Sequence, residues 1–291
     1  MLIWIGHVSY FMWRCFFIIH NTRVPHKVKV LLTIYLKKLN KQLPDLLNGF
    51  YLYGSISLGA FVEGASDVDF MAVIQRDLSE ADIAILKQIH KEIQSSYPQM
   101  SLDGIYITKE DIAGLDTEAK TCIYFNDGEI QGTKELQKNS IDVFQFYNYG
   151  VCILGKEPSQ YNFSIEWNLL MSRMQDNLNS YWVNWKNRGE RFLSVQYFDL
   201  LFSVKSIEWG VLGVSRLYYS FNEQGITSKV GAGEYAINNV PERWHKIINE
   251  AMRLRLGNPK SYYKSIFARR NDALAYMEYI INESNKLRFV E

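Results

Sequence analysis

The chain has 291 residues, 47% of them apolar, which is enough for two domains that each bury a core. With 32 basic and 31 acidic side chains the net charge is +1, so the chain lacks the overall basic charge that is typical of proteins that bind long nucleic acids. The three cysteines are widely spaced and odd in number, which indicates free thiols in a reducing cytoplasm rather than a disulfide framework.

Residues 1–24 are predicted to form an apolar amino-terminal extension. The first part, residues 1–20, is about long enough to span a bilayer. Arg14 lies inside it, however, where a charge costs roughly 2.5–3.5 kcal/mol of insertion free energy. We therefore expect an extension that packs on the body of the protein, or an upstream start ahead of a shorter native chain, rather than a stable membrane anchor.

A glycine-serine pair follows the first predicted strand. Phe50 to Tyr53 is short and β-prone, and Gly54 and Ser55 come directly after it. A glycine after a strand lets the backbone approach a phosphate, and the Ser55 hydroxyl adds a hydrogen-bond donor. A helix over Ile56 to Ala60 would turn its free N–H groups toward the same anion.

Two aspartates lie at the start of the next predicted strand, over Asp67 to Ile74. Because side chains alternate along a strand, Asp67 and Asp69 are expected on one face. Two crowded carboxylates repel each other, and burying an unpaired charge is costly. A Mg²⁺ ion resolves this conflict, since it usually takes one or two carboxylates together with phosphate oxygens. Two such ions can clamp the attacking and leaving oxygens of an in-line displacement.

A third carboxylate is expected beside this pair. A helix is predicted over Ser79 to Ser96, opened by a capping-box spacing, and an alternating strand follows over Ser101 to Ile107. Asp103 on that strand would lie next to Asp67 and Asp69. It can serve as a metal ligand or as a general base.

These motifs carry a resemblance to a known superfamily. Gly-Ser, a short helix and then Ser-Asp-x-Asp on a hydrophobic strand resemble the nucleotidyltransferases of the DNA polymerase β type. Arg216 to Tyr219, Ile226 to Lys229 and Tyr235 to Pro241 resemble the carboxy-terminal helical domain of the aminoglycoside adenylyltransferases, which are streptomycin and spectinomycin resistance enzymes. The resemblance covers about residues 45–285.

The resemblance implies an α+β (mixed α/β) fold class with two domains. A polymerase β-like nucleotidyltransferase domain with a small mixed sheet is expected over residues 25–157, and an all-α helical bundle over 158–291. The pattern of the chain agrees, because Lys156-Glu157-Pro158 marks a boundary and aromatic-rich helical patterns dominate from Glu166 onward.

The activity implied by the resemblance is a Mg²⁺-dependent transfer of AMP from ATP to a hydroxyl of an aminoglycoside-type antibiotic, with release of pyrophosphate. The catalytic and metal-binding residues would be Asp67, Asp69 and Asp103, and two Mg²⁺ ions are expected. The nucleotide would be bound by Gly54, Ser55, Ser66, Arg216 and Lys229. The resembled enzymes carry a glutamate in place of Asp103, which is one methylene shorter, so its role as base or ligand stays open.

The acceptor side is less specific. The resemblance implies a tryptophan and acidic residues before the arginine helix, and the candidates are Trp182, Trp185, Asp199 and Glu208. The expected partners are ATP and a small, cationic hydroxyl acceptor, and a monomer is the simplest expectation. Two alternatives stay open: a nucleotidyltransferase acting on a protein or another metabolite, and a catalytically silent nucleotide-binding homologue.

Overall fold

The computed structural model describes residues 21–161 and 164–287. The apolar extension is predicted over residues 1–24, and its first twenty residues lie outside the described range. Among the residues described, no helix combines the length and the apolar character needed to cross a membrane.

A six-stranded mixed sheet is built from the first half of the chain. Its strands, in chain order, are β1 Leu47–Leu52, β2 Val68–Ile74, β3 Leu102–Thr108, β4 Lys120–Asn126, β5 Glu129–Leu136 and β6 Val151–Leu154. Across the sheet the order is β5-β4-β3-β2-β1-β6. Strands β2 and β3 run parallel, and the other neighbouring pairs run antiparallel. The predicted strands at both aspartate motifs are thus confirmed, whereas the β4–β5 hairpin has no counterpart in the sequence prediction.

Several helices accompany the sheet. They are α1 His26–Gln42, α2 Gly54–Ser57, α3 Glu80–Ser96, α4 Lys109–Ala113 and α5 Ile141–Tyr149. The capping box predicted for α3 is confirmed: the Ser79 hydroxyl accepts a hydrogen bond from the backbone N–H of Asp82, and the Asp82 carboxylate accepts one from the backbone N–H of Ser79. Helix α2 begins at Gly54 rather than at Ile56, because the chain turns immediately after β1.

The alternation of β2 decides which face of the sheet carries the aspartates. Phe70 and Ala72 belong to the core that α1 and α3 cover. Met71 and Val73 point to the opposite face, into a second core that includes residues of α5. Asp69 has the same parity as Met71 and Val73, so it points toward the α5 side, at the end of the strand where this second core opens.

The elements after β6 are helical. They are α6 Trp167–Asn177, α7 Val183–Glu190, α8 Val195–Phe202, α9 Val204–Glu223, α10 Lys229–Asn239, α11 His245–Arg255 and α12 Ile266–Ser284. Helix α9 is the centre of this group and packs against α10, α11 and α12. A 3₁₀ turn, Glu242–Trp244, leads into α11, which buries Ile247, Ile248 and Ala251. The division into separate domains at residue 157 stays a prediction.

Candidate active site

The turn after β1 brings the backbone of Gly54 against the Asp69 carboxylate. Gly54 has φ +59°, and a Cβ atom placed on it would lie 1.9 Å from Asp69 Oδ2. No other residue type can occupy this position without moving Asp69, because the left-handed backbone and the close approach both require glycine. The Gly54 N–H donates to Gln145 Oε1 at 3.1 Å, which ties the turn to α5.

Ser55 has a side chain that fits a bound ligand. Its Oγ is buried and has no hydrogen-bond partner within the part of the chain that the structure describes. A buried hydroxyl is normally paired, so an unpaired one next to the Gly54 turn has capacity for a further acceptor such as a phosphate oxygen.

The three predicted carboxylates lie at the amino-terminal ends of β2 and β3. Asp69 and Asp103 are directly opposite in the register of the parallel pair, and Asp67 immediately precedes β2. Asp103 is 9% exposed and accepts hydrogen bonds from Ser101 Oγ and from the backbone N–H of Gly128. The sequence prediction that Asp103 lies beside the Asp-Val-Asp motif is confirmed by this register; the roles of all three residues stay predictions.

Their electrostatics are unfavourable without a counter-charge. Burial, and then the charges of Asp67, Asp142 and Asp103, raise the pKa of Asp69 to about 8. Burial also raises the pKa of Asp103 to about 6, with the charge of Asp67 adding to the effect and the hydrogen bond from Ser101 opposing it. Asp69 and Asp103 lie opposite each other and are largely shielded from water, whereas Asp67 is exposed. Crowded, shielded carboxylates of this kind favour a proton or a cation beside them.

Two further carboxylates, Asp142 and Asp127, were missed from the sequence. Asp142 lies in the first turn of α5 and pairs with Lys134 at 2.8 Å, and its charge contributes to the raised pKa of Asp69. Asp127 lies in the β4–β5 turn with φ 53°, and its charge contributes to the raised pKa of Asp67. The Asp127-Gly128 pair is a hairpin signal that could have located this turn.

Basic residues from the helical part face the carboxylates. Arg216 on α9 is close enough to Asp69 for its charge to lower the pKa of that carboxyl against the effect of burial. Lys229 is the first residue of α10, where the free backbone N–H groups of a helix add positive potential. The charges of Lys229, Arg255 and Lys205 likewise oppose the raised pKa of Asp67. Arg255 and Lys205 were not predicted.

Glu208, predicted to contact the acceptor, lies instead among these cations. Its carboxylate is 2.9 Å from Lys229 Nζ and 3.6 Å from the Arg255 guanidinium. It is 8% exposed, so these two cations, and not the solvent, neutralise most of its charge. A role in attracting a cationic acceptor stays a prediction.

Of the other predicted acceptor residues, Trp182 and Trp185 pack together in the helical core, with ring centroids 6.2 Å apart, and Asp199 lies at the surface. Trp182 and Trp185 are each 5% exposed, and their rings pack against glycines of α9, at Gly213 and Gly210 respectively. Asp199 is exposed on α8. An aromatic ring that does face outward near the cations is Trp209, which is 40% exposed and lies under Lys229 Nζ at 4.9 Å from the ring centroid.

The carboxylates of Asp67 and Asp69 have the chemistry of a Mg²⁺ site that is completed by a substrate. In the described part of the chain, no three His, Cys, Asp or Glu side chains converge closely enough to hold a metal on their own. Mg²⁺ does not require three, because it usually binds through one or two carboxylates plus waters and substrate phosphates. Asp67 and Asp69 provide hard oxygen ligands, and burial together with the neighbouring carboxylates raises the pKa of Asp69 to about 8, an environment that favours a bound cation. The pair therefore fits Mg²⁺.

Known proteins are similar to this chain in both halves. Residues 205–282 match the family model of the aminoglycoside adenylyltransferase C-terminal domain, a range that contains Arg216, Lys229 and Arg255. A spectinomycin 9-adenylyltransferase of Campylobacter jejuni is 23% identical over 252 residues, which is 82% of this chain and 88% of that protein.

A solved structure has the same fold. The crystal structure of spectinomycin adenyltransferase AAD(9) from Enterococcus faecialis, with ATP and spectinomycin, superposes with a TM-score of 0.66 at 17% identity. The match covers 88% of this chain and 98% of that one. The predicted fold class and the resemblance that the motifs indicate are both confirmed.

Proposed function

We propose that this chain, a nucleotidyltransferase of the aminoglycoside adenylyltransferase family, transfers AMP from ATP to a hydroxyl of spectinomycin or a closely related antibiotic and releases pyrophosphate. The relatives that support this acceptor are spectinomycin adenylyltransferases, one of them solved with ATP and spectinomycin. Since the reaction consumes ATP and the chain carries the free thiols Cys122 and Cys152, we place it in the cytoplasm.

The single observation that carries the proposal is the meeting of opposite charges from two parts of the chain. Asp67, Asp69 and Asp103 come from the sheet, and Arg216 and Lys229 come from the helices. A triphosphate with its divalent cation has complementary charges, since the cation can bind the carboxylates while the phosphates bind the arginine and the lysine. Positioning and electrostatic stabilisation account for most of the catalysis of phosphoryl-type transfers.

The donor nucleotide would lie along the Gly54-Ser55 turn. There the unpaired Ser55 Oγ can donate to a phosphate oxygen, and the lack of a side chain at Gly54 lets the Asp69 carboxylate lie directly against this turn. Mg²⁺, held by Asp67 and Asp69, would neutralise charge on the transferred and leaving phosphates. Lys229 and Arg216 would stabilise the charge that develops on the pyrophosphate.

Asp103 is proposed as the general base. Its pKa of about 6 leaves it mostly ionised at neutral pH while keeping it basic enough to accept a proton from an acceptor hydroxyl. The hydrogen bonds from Ser101 and Gly128 hold the carboxylate in one orientation. One carboxylate oxygen carries both bonds, which leaves the other oxygen for the hydroxyl.

The acceptor would bind beside Trp209 at the edge of the cation cluster. Trp209 donates its indole N–H to the Tyr181 hydroxyl at 3.3 Å, so the two rings form an exposed aromatic surface next to Lys229. Because Glu208 is already neutralised by Lys229 and Arg255, we expect this surface to recognise the acceptor by shape and hydrogen bonds more than by net charge.

The test is release of pyrophosphate from ATP and Mg²⁺ across a panel of spectinomycin, streptomycin and lincosamides. We expect release with spectinomycin, and its loss in Asp67→Asn. The matched control is Asp116→Asn, which removes an exposed aspartate paired with Lys138 at the surface. Release with none of the panel, from a protein that still binds ATP, would favour a protein or another metabolite as acceptor. No ATP binding would favour a silent homologue.

A further inference from the structure

We propose that Arg255 is a positioning residue that fixes the loop carrying Asp67 to the helical part of the molecule. The catalytic consequence rests on the proposed function, whereas the mechanical role of Arg255 does not. Nothing in the sequence around Arg255 distinguishes it from a basic residue at the end of a helix, where the helix dipole already favours a cation. What distinguishes Arg255 is the set of hydrogen bonds that its guanidinium donates.

The Arg255 guanidinium reaches across to residues distant in sequence. It donates from Nη1 to the backbone carbonyl of Ala65 and from Nη2 to Ser66 Oγ at 2.5 Å. These acceptors are the two residues before Asp67. Arg255 is 7% exposed, so both hydrogen bonds are shielded from water. Hydrogen bonds from a charged donor in such a setting are about twice as strong as neutral ones.

The loop over residues 59–66 has limited support of its own. Gly59 and Gly64 have φ +65° and +76°, and a Cβ atom placed on either would meet no atom within 4 Å. The internal hydrogen bonds join Val62 to Ala65 and Ser66. Outside contacts of the loop include Phe61, partly buried against the sheet core, and Glu63, paired with Lys27 at the exposed surface. A surface pair of that kind contributes little, so Arg255 is the strong polar anchor at the Asp67 end.

The same guanidinium belongs to the cation cluster on the opposite side. Glu208 lies 3.6 Å from Arg255 and 2.9 Å from Lys229, and so connects the two cations. Contacts therefore run from Ser66 through Arg255 and Glu208 to Lys229. They connect the loop that precedes Asp67, a proposed metal ligand, to the lysine that is proposed to bind the phosphates. A buried polar network of this kind holds its members in one mutual arrangement.

Two nearby arginines show that this placement is particular to Arg255. Arg253, on the same helix, pairs with Glu250 three residues earlier and stays within the helical part. Arg270 on α12 is buried to the same degree as Arg255, at 8% exposed, and donates to the carbonyl of Gly189 at 2.7 Å. Arg270 thus has the same kind of bond without any contact to the Asp67 loop, and it is the matched control.

The first experiment is hydrogen–deuterium exchange of the free, full-length protein, read by mass spectrometry on peptides that cover residues 59–67. We expect Arg255→Lys to raise the exchange rate of this loop by about tenfold, because lysine keeps the charge but cannot make both bonds. Arg270→Lys should leave the loop unchanged. Should Arg255→Lys not fold, Ser66→Ala removes one acceptor with a minimal change and should raise the same exchange rate.

The second experiment is steady-state kinetics of the same variants. We expect Arg255→Lys to lower kcat by roughly tenfold at equal folded fraction, and Arg270→Lys to leave kcat unchanged. The effect of Arg255→Lys should be smaller in the Ser66→Ala background, because the two side chains act as one unit. Unchanged loop exchange in folded Arg255→Lys overturns the proposal, whatever the activity. An inactive wild-type protein overturns the proposed function alone, since the exchange measurement needs no substrate.

Discussion

Asp69→Asn is expected to abolish transfer and, at the same time, to stabilise the ligand-free protein. The pKa of Asp69 is raised from 3.8 to about 8 by burial and by the charges of Asp67, Asp142 and Asp103. At 1.36 kcal/mol per pKa unit, an aspartate that stays protonated to pH 8 when folded and ionises at 3.8 when unfolded lowers stability at pH 7 by about 4 kcal/mol. Asparagine resembles the protonated carboxyl and carries no such cost.

The sign of the pH dependence follows from proton counting. Between about pH 4 and pH 8 the folded state holds the Asp69 proton and the unfolded state does not, so stability falls as the pH rises through this window. Asparagine does not titrate, and the gap between variant and wild type should therefore widen from pH 5 to pH 8. Because 1 kcal/mol corresponds to roughly 2–4 °C in chains of 150–250 residues, a Tm difference on the order of 10 °C is expected at pH 8.

The assay is thermal unfolding of both proteins without nucleotide or metal, at several pH values between 5 and 8. Asp116→Asn is the control of opposite sign, because the hydrogen bond from Lys138 lowers the pKa of Asp116, and its loss should not stabilise the protein at any of these pH values. An Asp69→Asn protein with the same Tm as wild type at pH 8, or with a difference that does not grow with pH, would refute the reasoning.

Three further predictions concern single side chains. Gly54→Ala should lower activity at least a hundredfold, since its Cβ would collide with Asp69 Oδ2, and the measurement is kcat of folded protein. Asp103→Asn should lower kcat by about 10²–10⁴-fold. In a pH–rate profile it should also remove the decline in rate that we expect for wild type below about pH 6, and a retained decline would rule out Asp103 as the base. Trp182→Ala should cost about 3–5 kcal/mol of stability, whereas Trp209→Ala should leave Tm nearly unchanged and raise KM for the acceptor but not for ATP; the reverse pattern would place the acceptor at Trp182.

Local patterns in the sequence were sufficient to locate the three carboxylates of the candidate site. The alternation of β2 sets the face of Asp69, with Asp67 directly before the strand, and the capping box at Ser79 sets the start of the helix that leads to Asp103. These features depend on residues within a few positions of one another, where strand and helix periodicity act directly. The parallel register that puts Asp103 opposite Asp69 then follows from a strand–helix–strand unit.

Long-range contacts could not be predicted in the same way. Arg255 bonds to Ala65 and Ser66 across about 190 residues of chain, and no local pattern encodes such a pair. The tryptophans show a second reason. Trp182 is buried because Gly213 on another helix leaves space for its ring, whereas Trp209 is exposed on the same helix as that glycine. The residue type is the same at both positions, so only the packing of the helices determines which tryptophan is buried.

The most direct test of the central claim is mass spectrometry of the reaction product. Wild-type protein is incubated with ATP, Mg²⁺ and spectinomycin, with Asp67→Asn in parallel. The opposed carboxylates and cations predict an AMP-modified spectinomycin with wild type and none with Asp67→Asn. Absence of the adduct from a wild-type protein that binds ATP and Mg²⁺ in a thermal-shift assay, or its undiminished formation by Asp67→Asn, would contradict the account.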